Sequence, residues 1–321
     1  MSVSGVKSSF EEKNTTIQAT CLDITNAKSS IIDDQSGLSN DDLSEQPSTS
    51  SLDKPQSEQS NERNCETNSS TTSIQKYLDI YIPKMIGNLP GFCREWGATL
   101  GIASLSMFGC EDSDTYDPNQ RPVLLAHGFN GNAGSWRCFR KFMQERKVHN
   151  IFSVSLGFFL MSTITDYAEV VRDKVEEIKE KTRQNEINFV VHSMGALVVR
   201  EYCHKFAEQQ DITVRKVVSL GGAFCGVHVP SICTLVPLIR DLLCGSECIA
   251  EQQEKAAADD ITHYYILSGK EDIRVPPESV QNDRAKHKIF EIFPDVGHME
   301  MAINQKVANR VAEILTCEEE V

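Results

Sequence analysis

Ser193 is the serine in this sequence whose surroundings best suit nucleophilic chemistry. It lies in Val191-His192-Ser193-Met194-Gly195, between a predicted buried strand and a predicted helix. A tight turn at such a junction lifts the hydroxyl above the edge of a sheet, and small residues are expected two positions before and after the serine. Gly195 meets this requirement, whereas Val191 places a β-branched side chain where glycine is usual. A serine in such a loop can also act only as a helix cap, so the motif needs support from other residues.

His298 is the expected general base among the 8 histidines. It lies just after the last predicted strand and before the last predicted helix, and a loop at that place can reach over the carboxyl ends of the strands. His127 and His192 belong to their own motifs, so their ring nitrogens are expected to hold loops in place. The remaining histidines are expected at the surface or in structural roles.

Asp272 is the expected third member of the set, because it follows the fifth predicted strand. A carboxylate at this place fixes the tautomer of the histidine and stabilises its charged form. Glu271 is one residue away and remains an alternative, and Asp283 is a weaker one.

Strands and helices alternate along the part of the chain that carries these residues. Buried strands are predicted at 123–126, 151–154, 187–191, 214–220, 264–267 and 288–293. Helices are predicted at 163–183, where apolar residues recur at helical spacing, and at 195–206 and 299–315. This alternation predicts an α/β fold, with a mostly parallel central sheet and helices on both faces.

The composition divides the chain into three parts. Residues 1–70 hold 22 Ser/Thr but one aromatic residue and have a net charge of -7, so we expect a disordered polar tail. Residues 71–119 are apolar but interrupted by Pro and Gly, and we expect an irregular lead-in segment with short helices, packed on the main domain or touching a membrane. Residues 120–321 are the expected catalytic domain.

Charge and cysteine content narrow the possible partners and the compartment. The chain has 32 Lys+Arg against 46 Asp+Glu, and no basic cluster is visible, so nucleic acid is not an expected partner. The start of the sequence lacks the apolar run of a secretory signal peptide, and no uninterrupted run of about 18 apolar residues predicts a membrane span. We therefore expect a cytoplasmic protein with reduced thiols, and export by a route without a cleaved signal is the alternative.

Five motifs together resemble the α/β-hydrolase superfamily, in its serine esterase and lipase branch. The chain is similar in particular to small bacterial triacylglycerol lipases and to PGAP-like hydrolases. The motifs are His127-Gly128-Phe129, Val191-His192-Ser193-Met194-Gly195, Ser219-Leu220-Gly221-Gly222-Ala223, Ser268-Gly269-Lys270-Glu271-Asp272 and Val296-Gly297-His298. The resemblance covers residues 120–316. It implies the α/β-hydrolase fold, a triad in the chain order Ser193, Asp272, His298, and no metal or cofactor.

The resemblance also implies where an oxyanion and an acyl chain would bind. The backbone N–H groups of Phe129 and Met194 are the expected oxyanion hole. Trp136, Phe158 and Phe224 are expected to line an acyl pocket, so a lipid or another acyl ester is the expected substrate. An acyl-thioesterase or transacylase with the same triad remains an alternative. Val191 and the long tail also leave open a non-catalytic interaction protein, and no protein partner is predicted.

Overall fold

The computed structural model describes residues 89–105, 112, 116–157, 161–227 and 235–317. The predicted polar tail, 1–70, lies outside the described residues. In the lead-in segment, 71–119, the described residues are 89–105, 112 and 116–119.

Six parallel strands form one sheet, which confirms the predicted fold class. The strand order is β2-β1-β3-β4-β5-β6, and every neighbouring pair is parallel. All six predicted strands are present, with ends within two residues of the prediction. They are β1 (Val123–Ala126), β2 (Ile151–Val154), β3 (Glu186–His192), β4 (Thr213–Leu220), β5 (His263–Gly269) and β6 (Lys288–Phe293). Because the strands are parallel, the loops that follow β1, β3, β4, β5 and β6 leave from the same edge of the sheet.

Helices connect the strands and cover the sheet. They are α1 (Leu89–Leu105), α2 (Arg137–Glu145), α3 (Ile164–Thr182), α4 (Gly195–Lys205), α5 (Pro237–Asp241), α6 (Glu247–Ala258), α7 (Pro277–Val280) and α8 (Gln305–Thr316). Two short 3₁₀ turns lie at Ala133–Trp136 and Glu300–Ala302. Helices α2, α5, α6 and α7 were not predicted from the sequence.

The alternation of side chains along each strand divides the core into two clusters, one on each face of the sheet. On one face, Leu124 and Phe189 pack with apolar residues of α3, α4 and α6. On the other face, Leu125 and Val190 pack with apolar residues of α2 and α8. A layer of helices therefore covers each face of the sheet, and the loops lie at its carboxyl edge.

Helix α8 begins later than predicted. The sequence predicted one helix over 299–315, whereas the chain forms the 3₁₀ turn and then starts α8 after Asn304. The Asn304 side chain accepts a hydrogen bond from the Lys306 N–H at 2.9 Å. Asparagine favours this cap over a helix interior, because its side chain competes for backbone N–H groups.

Part of the apolar lead-in segment is described. Over 89–105 it forms the single helix α1, 17 residues long, where the sequence predicted short helices within irregular structure. Pro90 lies in the first turn of α1, where a backbone N–H would have no acceptor within the helix. Proline therefore loses no hydrogen bond there, and the helix can start at this position. Residues 74–88 and 106–110 lie outside the described residues. Within the described part of the chain, no helix has the length and apolar character needed to cross a membrane.

Candidate active site

The backbone at Ser193 makes a tight turn between β3 and α4. Ser193 has a φ of 54°, in the left-handed region that is costly for a residue with a side chain. A Cβ atom at Gly195 would lie 2.6 Å from the Ala126 carbonyl oxygen, so only glycine fits there. At Gly128 a Cβ atom would lie 2.8 Å from the Ser193 Cβ. The turn depends on close backbone approach at both glycines.

Val191, the departure from the usual motif, is accommodated in the core. It is fully buried and belongs to the apolar cluster that also contains Ala196. Its side chain therefore packs in the core at the end of β3.

A chain of hydrogen bonds joins Ser193, His298 and Asp272. The distance from His298 Nε2 to Ser193 Oγ is 2.9 Å, and from His298 Nδ1 to Asp272 Oδ2 it is 2.6 Å. The carboxylate oxygen accepts a hydrogen bond from the Nδ1–H, so this contact favours the tautomer whose Nε2 can accept the serine proton. Serine, imidazole and carboxylate are thus aligned for proton transfer from the hydroxyl.

The backbone holds the Asp272 carboxylate in place. Its Oδ1 accepts hydrogen bonds from the Arg274 N–H at 2.9 Å and the Val275 N–H at 2.7 Å, and the side chain is fully buried. With Oδ1 occupied, Oδ2 faces the imidazole. Gly221, with a φ of +55°, lies against this contact, since a Cβ atom there would lie 3.0 Å from Asp272 Oδ2.

The two alternative acids have other partners. The Glu271 carboxylate forms an ion pair with Arg94 of α1. Asp283 is paired with the buried guanidinium of Arg200 at 2.6 Å, deep in the core. Of the three carboxylates considered from the sequence, Asp272 is the one bonded to His298.

His127 and His192 support the loops around the serine. His127 Nε2 accepts from the Leu156 N–H at 3.0 Å, and its Nδ1 contacts the Gly128 carbonyl at 2.7 Å. His192 Nε2 donates to the His298 carbonyl at 3.0 Å. Burial lowers the pKa of His127 to about 4 and the pKa of His192 to about 3, so both rings are neutral at pH 7. Neutral rings in fixed tautomers hold these loops as the sequence suggested.

A cavity of about 340 Å³ opens onto Ser193 and His298. Its wall is mostly apolar and includes Phe129, Met194 and Trp136, three of the residues predicted to bind substrate or oxyanion. Arg274 is the one charged residue among those described that line it. Further apolar lining comes from Ile102 of α1 and from the region after β4, with Val227, Ile239 and Leu242.

The structure corrects the prediction for Phe224 and leaves the one for Phe158 open. Phe224 is fully buried, and the Arg200 guanidinium lies 3.8 Å from the centre of its ring. It therefore belongs to the core, while its neighbour Ala223 lines the cavity. Phe158 lies outside the described residues.

The sequence did not single out Glu95 of α1, which lies beside His298. Both of its carboxylate oxygens accept the Met299 N–H, at 2.9 and 3.0 Å, next to His298 in the chain. The available signal was the pair Arg94-Glu95, since no other charged residue occurs in the α1 sequence.

Comparison with known proteins agrees with this architecture. Residues 121–237 match the family model described as alpha/beta hydrolase fold. The chain thus has the α/β-hydrolase fold, with a serine, a histidine and a carboxylate assembled at the carboxyl edge of its sheet.

Three solved structures show the extent of the likeness. Aspergillus fumigatus lipase B is 13% identical with a TM-score of 0.56, and the match covers 65% of this chain but 56% of the lipase, less than two thirds of its length. Bacillus licheniformis lipase BlEst2 in mature form is 14% identical with a TM-score of 0.51, over 64% of this chain and 96% of that chain. A structure from a study of LipS and LipT, two metagenome-derived lipolytic enzymes, is 17% identical with a TM-score of 0.51. The match covers 64% of this chain and 96% of that chain. The comparison with curated protein sequences finds no match.

Proposed function

We propose that this chain is a serine hydrolase that cleaves carboxylic esters through an acyl-enzyme. The observation that carries the proposal is the hydrogen-bonded chain Ser193–His298–Asp272, with distances of 2.9 and 2.6 Å, whose Ser193 and His298 line a cavity. Nucleophile and base at hydrogen-bonding distance, with the base oriented by a third group, are the requirements of this chemistry.

The reaction would take place in two halves. His298 Nε2 accepts the proton of Ser193 as Oγ attacks the ester carbonyl carbon, and the resulting imidazolium returns that proton to the leaving alcohol. A water molecule then gives a proton to Nε2 and attacks the acyl-enzyme, and the proton returns to Ser193 as the acid leaves. Asp272 stabilises the imidazolium in both halves.

The N–H groups of Phe129 and Met194 would stabilise the oxyanion in each tetrahedral intermediate. Met194 is the N-cap residue of α4, at the end of the helix where backbone N–H groups have no acceptor within the helix. Phe129 lines the same cavity from the loop after β1. Removing one such donor typically costs about 3–4 kcal/mol of transition-state stabilisation.

The apolar wall of the cavity supports an acyl chain as the group bound beside Ser193. Trp136, Val227 and Leu242 offer hydrocarbon surface with few polar groups, which favours burial of a lipid acyl ester over a polar one. A lipid ester is therefore the proposed substrate class. The names of the lipases of similar fold agree with it.

A panel of p-nitrophenyl esters from acetate to palmitate, with the corresponding acyl-CoA thioesters, tests the proposal on the full chain. Ester turnover should exceed thioester turnover and be lost in Ser193→Ala. The matched control Ser279→Ala, whose hydroxyl bonds only the Pro276 carbonyl in the described residues, should keep it. Faster thioester cleavage would instead indicate a thioesterase. A folded wild-type chain inert to every ester would reject the proposal.

A further inference from the structure

Glu95 is a buried carboxylate on α1, a helix whose other buried side chains include the apolar Ala98 and Ile102. The residue is 7% exposed, although its neighbours Arg94 and Trp96 are both exposed. Burying a carboxylate is costly unless its oxygens are bonded. Burial accordingly raises the pKa of Glu95, while the Met299 N–H opposes this shift by binding the charged form.

The Glu95 carboxylate binds the backbone next to His298 and also lies 3.9 Å from the Arg274 guanidinium. Oε1 and Oε2 share the Met299 N–H at 2.9 and 3.0 Å. The carbonyl of His298 accepts the His192 imidazole on the other side of the same peptide group. The peptide that follows the base is thus held at both its carbonyl and its N–H, by two side chains from different elements.

Gly297 allows the carboxylate to reach this peptide. A Cβ atom at position 297 would lie 2.6 Å from Glu95 Oε2, so any other residue would push the two apart. The Gly297 N–H donates to Glu300 at 2.8 Å, and Glu300 in turn pairs with Arg94 at 3.3 Å. Arg94 also pairs with Glu271, beside the acid. Helix α1 therefore contacts the loops of both the acid and the base.

We propose that Glu95 is a positioning residue for His298: its carboxylate, carried by α1, fixes the Met299 peptide so that the imidazole stays within hydrogen-bonding distance of Ser193. The kinetic consequence rests on the proposed function. The structural consequence does not, because the contact between His298 and Asp272 can be observed without turnover.

Two variants of similar size separate the hydrogen bond from simple packing. Glu95→Gln keeps an acceptor oxygen for the Met299 N–H, whereas Glu95→Leu fills the space without one. A displacement of about 1 Å at a reacting group can cost about 100-fold in rate. We expect Glu95→Leu to lower kcat at least about tenfold with KM within about twofold, and Glu95→Gln to stay within about threefold of wild type. Glu186→Gln, which removes a carboxylate paired with Arg121 and Arg215 at the opposite end of β3, is the matched control and should equal wild type.

Proton NMR supplies the readout that needs no substrate. The downfield resonance of the His298 Nδ1–H bonded to Asp272, assigned by its loss in His298→Ala, should persist in Glu95→Gln and broaden or vanish in folded Glu95→Leu. Wild-type kcat and an unchanged resonance in Glu95→Leu would overturn the inference, and so would equal losses in both variants. A wild-type chain without ester turnover would reject the proposed function alone, and the resonance would then decide the role of Glu95.

Discussion

Glu271 and Asp272 are adjacent in the chain, yet their carboxylates bind different partners. Asp272 Oδ2 contacts His298 Nδ1 at 2.6 Å, whereas Glu271 turns outward and pairs with Arg94 on α1. The difference follows from the backbone, since the N–H groups of Arg274 and Val275 draw the Asp272 side chain inward.

This division of roles predicts unequal effects for the two isosteric amide variants. Asp272→Asn presents a donor or a weaker acceptor to the imidazole and should lower kcat by up to about 10⁴-fold, because the wrong tautomer is favoured. Glu271→Gln loses a partly exposed ion pair, and should keep kcat within a few-fold of wild type. Steady-state kinetics on one ester measures both, and equal losses would contradict the assignment of the acid.

The strands and the order of the site residues could be predicted because both depend on local pattern. Continuous apolar runs such as 187–191 mark buried parallel strands, and the loop after such a strand reaches the carboxyl edge of the sheet. The sequence favoured Asp272 but left Glu271 open, because the choice between them depends on which neighbouring N–H groups face the side chain.

Other features depend on contacts between residues that are far apart in the sequence. The burial of Phe224 depends on Arg200, 24 positions earlier in the sequence. The role of Glu95 depends on a contact with Met299 across 204 positions. Such contacts arise from the packing of whole elements, and neither composition nor periodicity records them.

Gly221 offers a test of how closely the loop after β4 supports the contact between Asp272 and His298. Gly221→Ala would place a methyl group 3.0 Å from Asp272 Oδ2, on a residue with φ of +55°. The left-handed conformation alone costs about 1–2 kcal/mol for a residue with a Cβ. We expect a lower free energy of unfolding by at least that amount and a lower kcat, measured by urea denaturation and ester turnover.

Gly101→Ala is the matched control for that variant. Nothing lies within 4 Å of a Cβ atom at Gly101, which is in the interior of α1. Alanine there should stabilise the helix by about 0.5–1 kcal/mol without changing kcat. If the free energy of unfolding and kcat were the same in Gly221→Ala and Gly101→Ala, the left-handed conformation at position 221 would not require glycine.

The buried pair of Arg200 and Asp283 predicts a large effect on stability. Both side chains are fully buried, and the guanidinium also contacts the rings of Phe224 and Tyr264. Asp283→Asn would leave the cation without its counter-charge and should lower the free energy of unfolding by about 3–5 kcal/mol. Glu291→Gln, which breaks the more exposed pair with Arg310, should change it by at most about 1 kcal/mol. Urea denaturation of the two variants compares them, and similar small losses would contradict the account of the core.

Three histidines that are neutral in the folded chain predict a loss of stability in acid. Burial lowers the pKa of His127 and His204 to about 4 and of His192 to about 3, each from 6.5. Below pH 6.5 the unfolded chain binds protons that the folded chain does not, so the free energy of unfolding falls as the pH drops towards 4. Each histidine contributes a slope of up to about 1.4 kcal/mol per pH unit in that window.

His204 can be tested away from the site. It lies on α4, where nearby Arg200 and Lys255 add to the effect of burial. His204→Gln should make the free energy of unfolding fall less steeply between pH 6.5 and 4. Above pH 7, its dependence on pH should be the same as in the wild type. An unchanged dependence of the free energy of unfolding on pH would mean that His204 has the same pKa in the folded and the unfolded chain.

The central claim is that Ser193 is an activated nucleophile, and covalent labelling with a fluorophosphonate tests it most directly. Intact mass and peptide mapping of the full chain should give one adduct, on Ser193. The adduct should be absent from folded Ser193→Ala and form much more slowly in His298→Ala. A folded wild-type chain that takes up no label, or an adduct that persists undiminished in Ser193→Ala, would contradict the account.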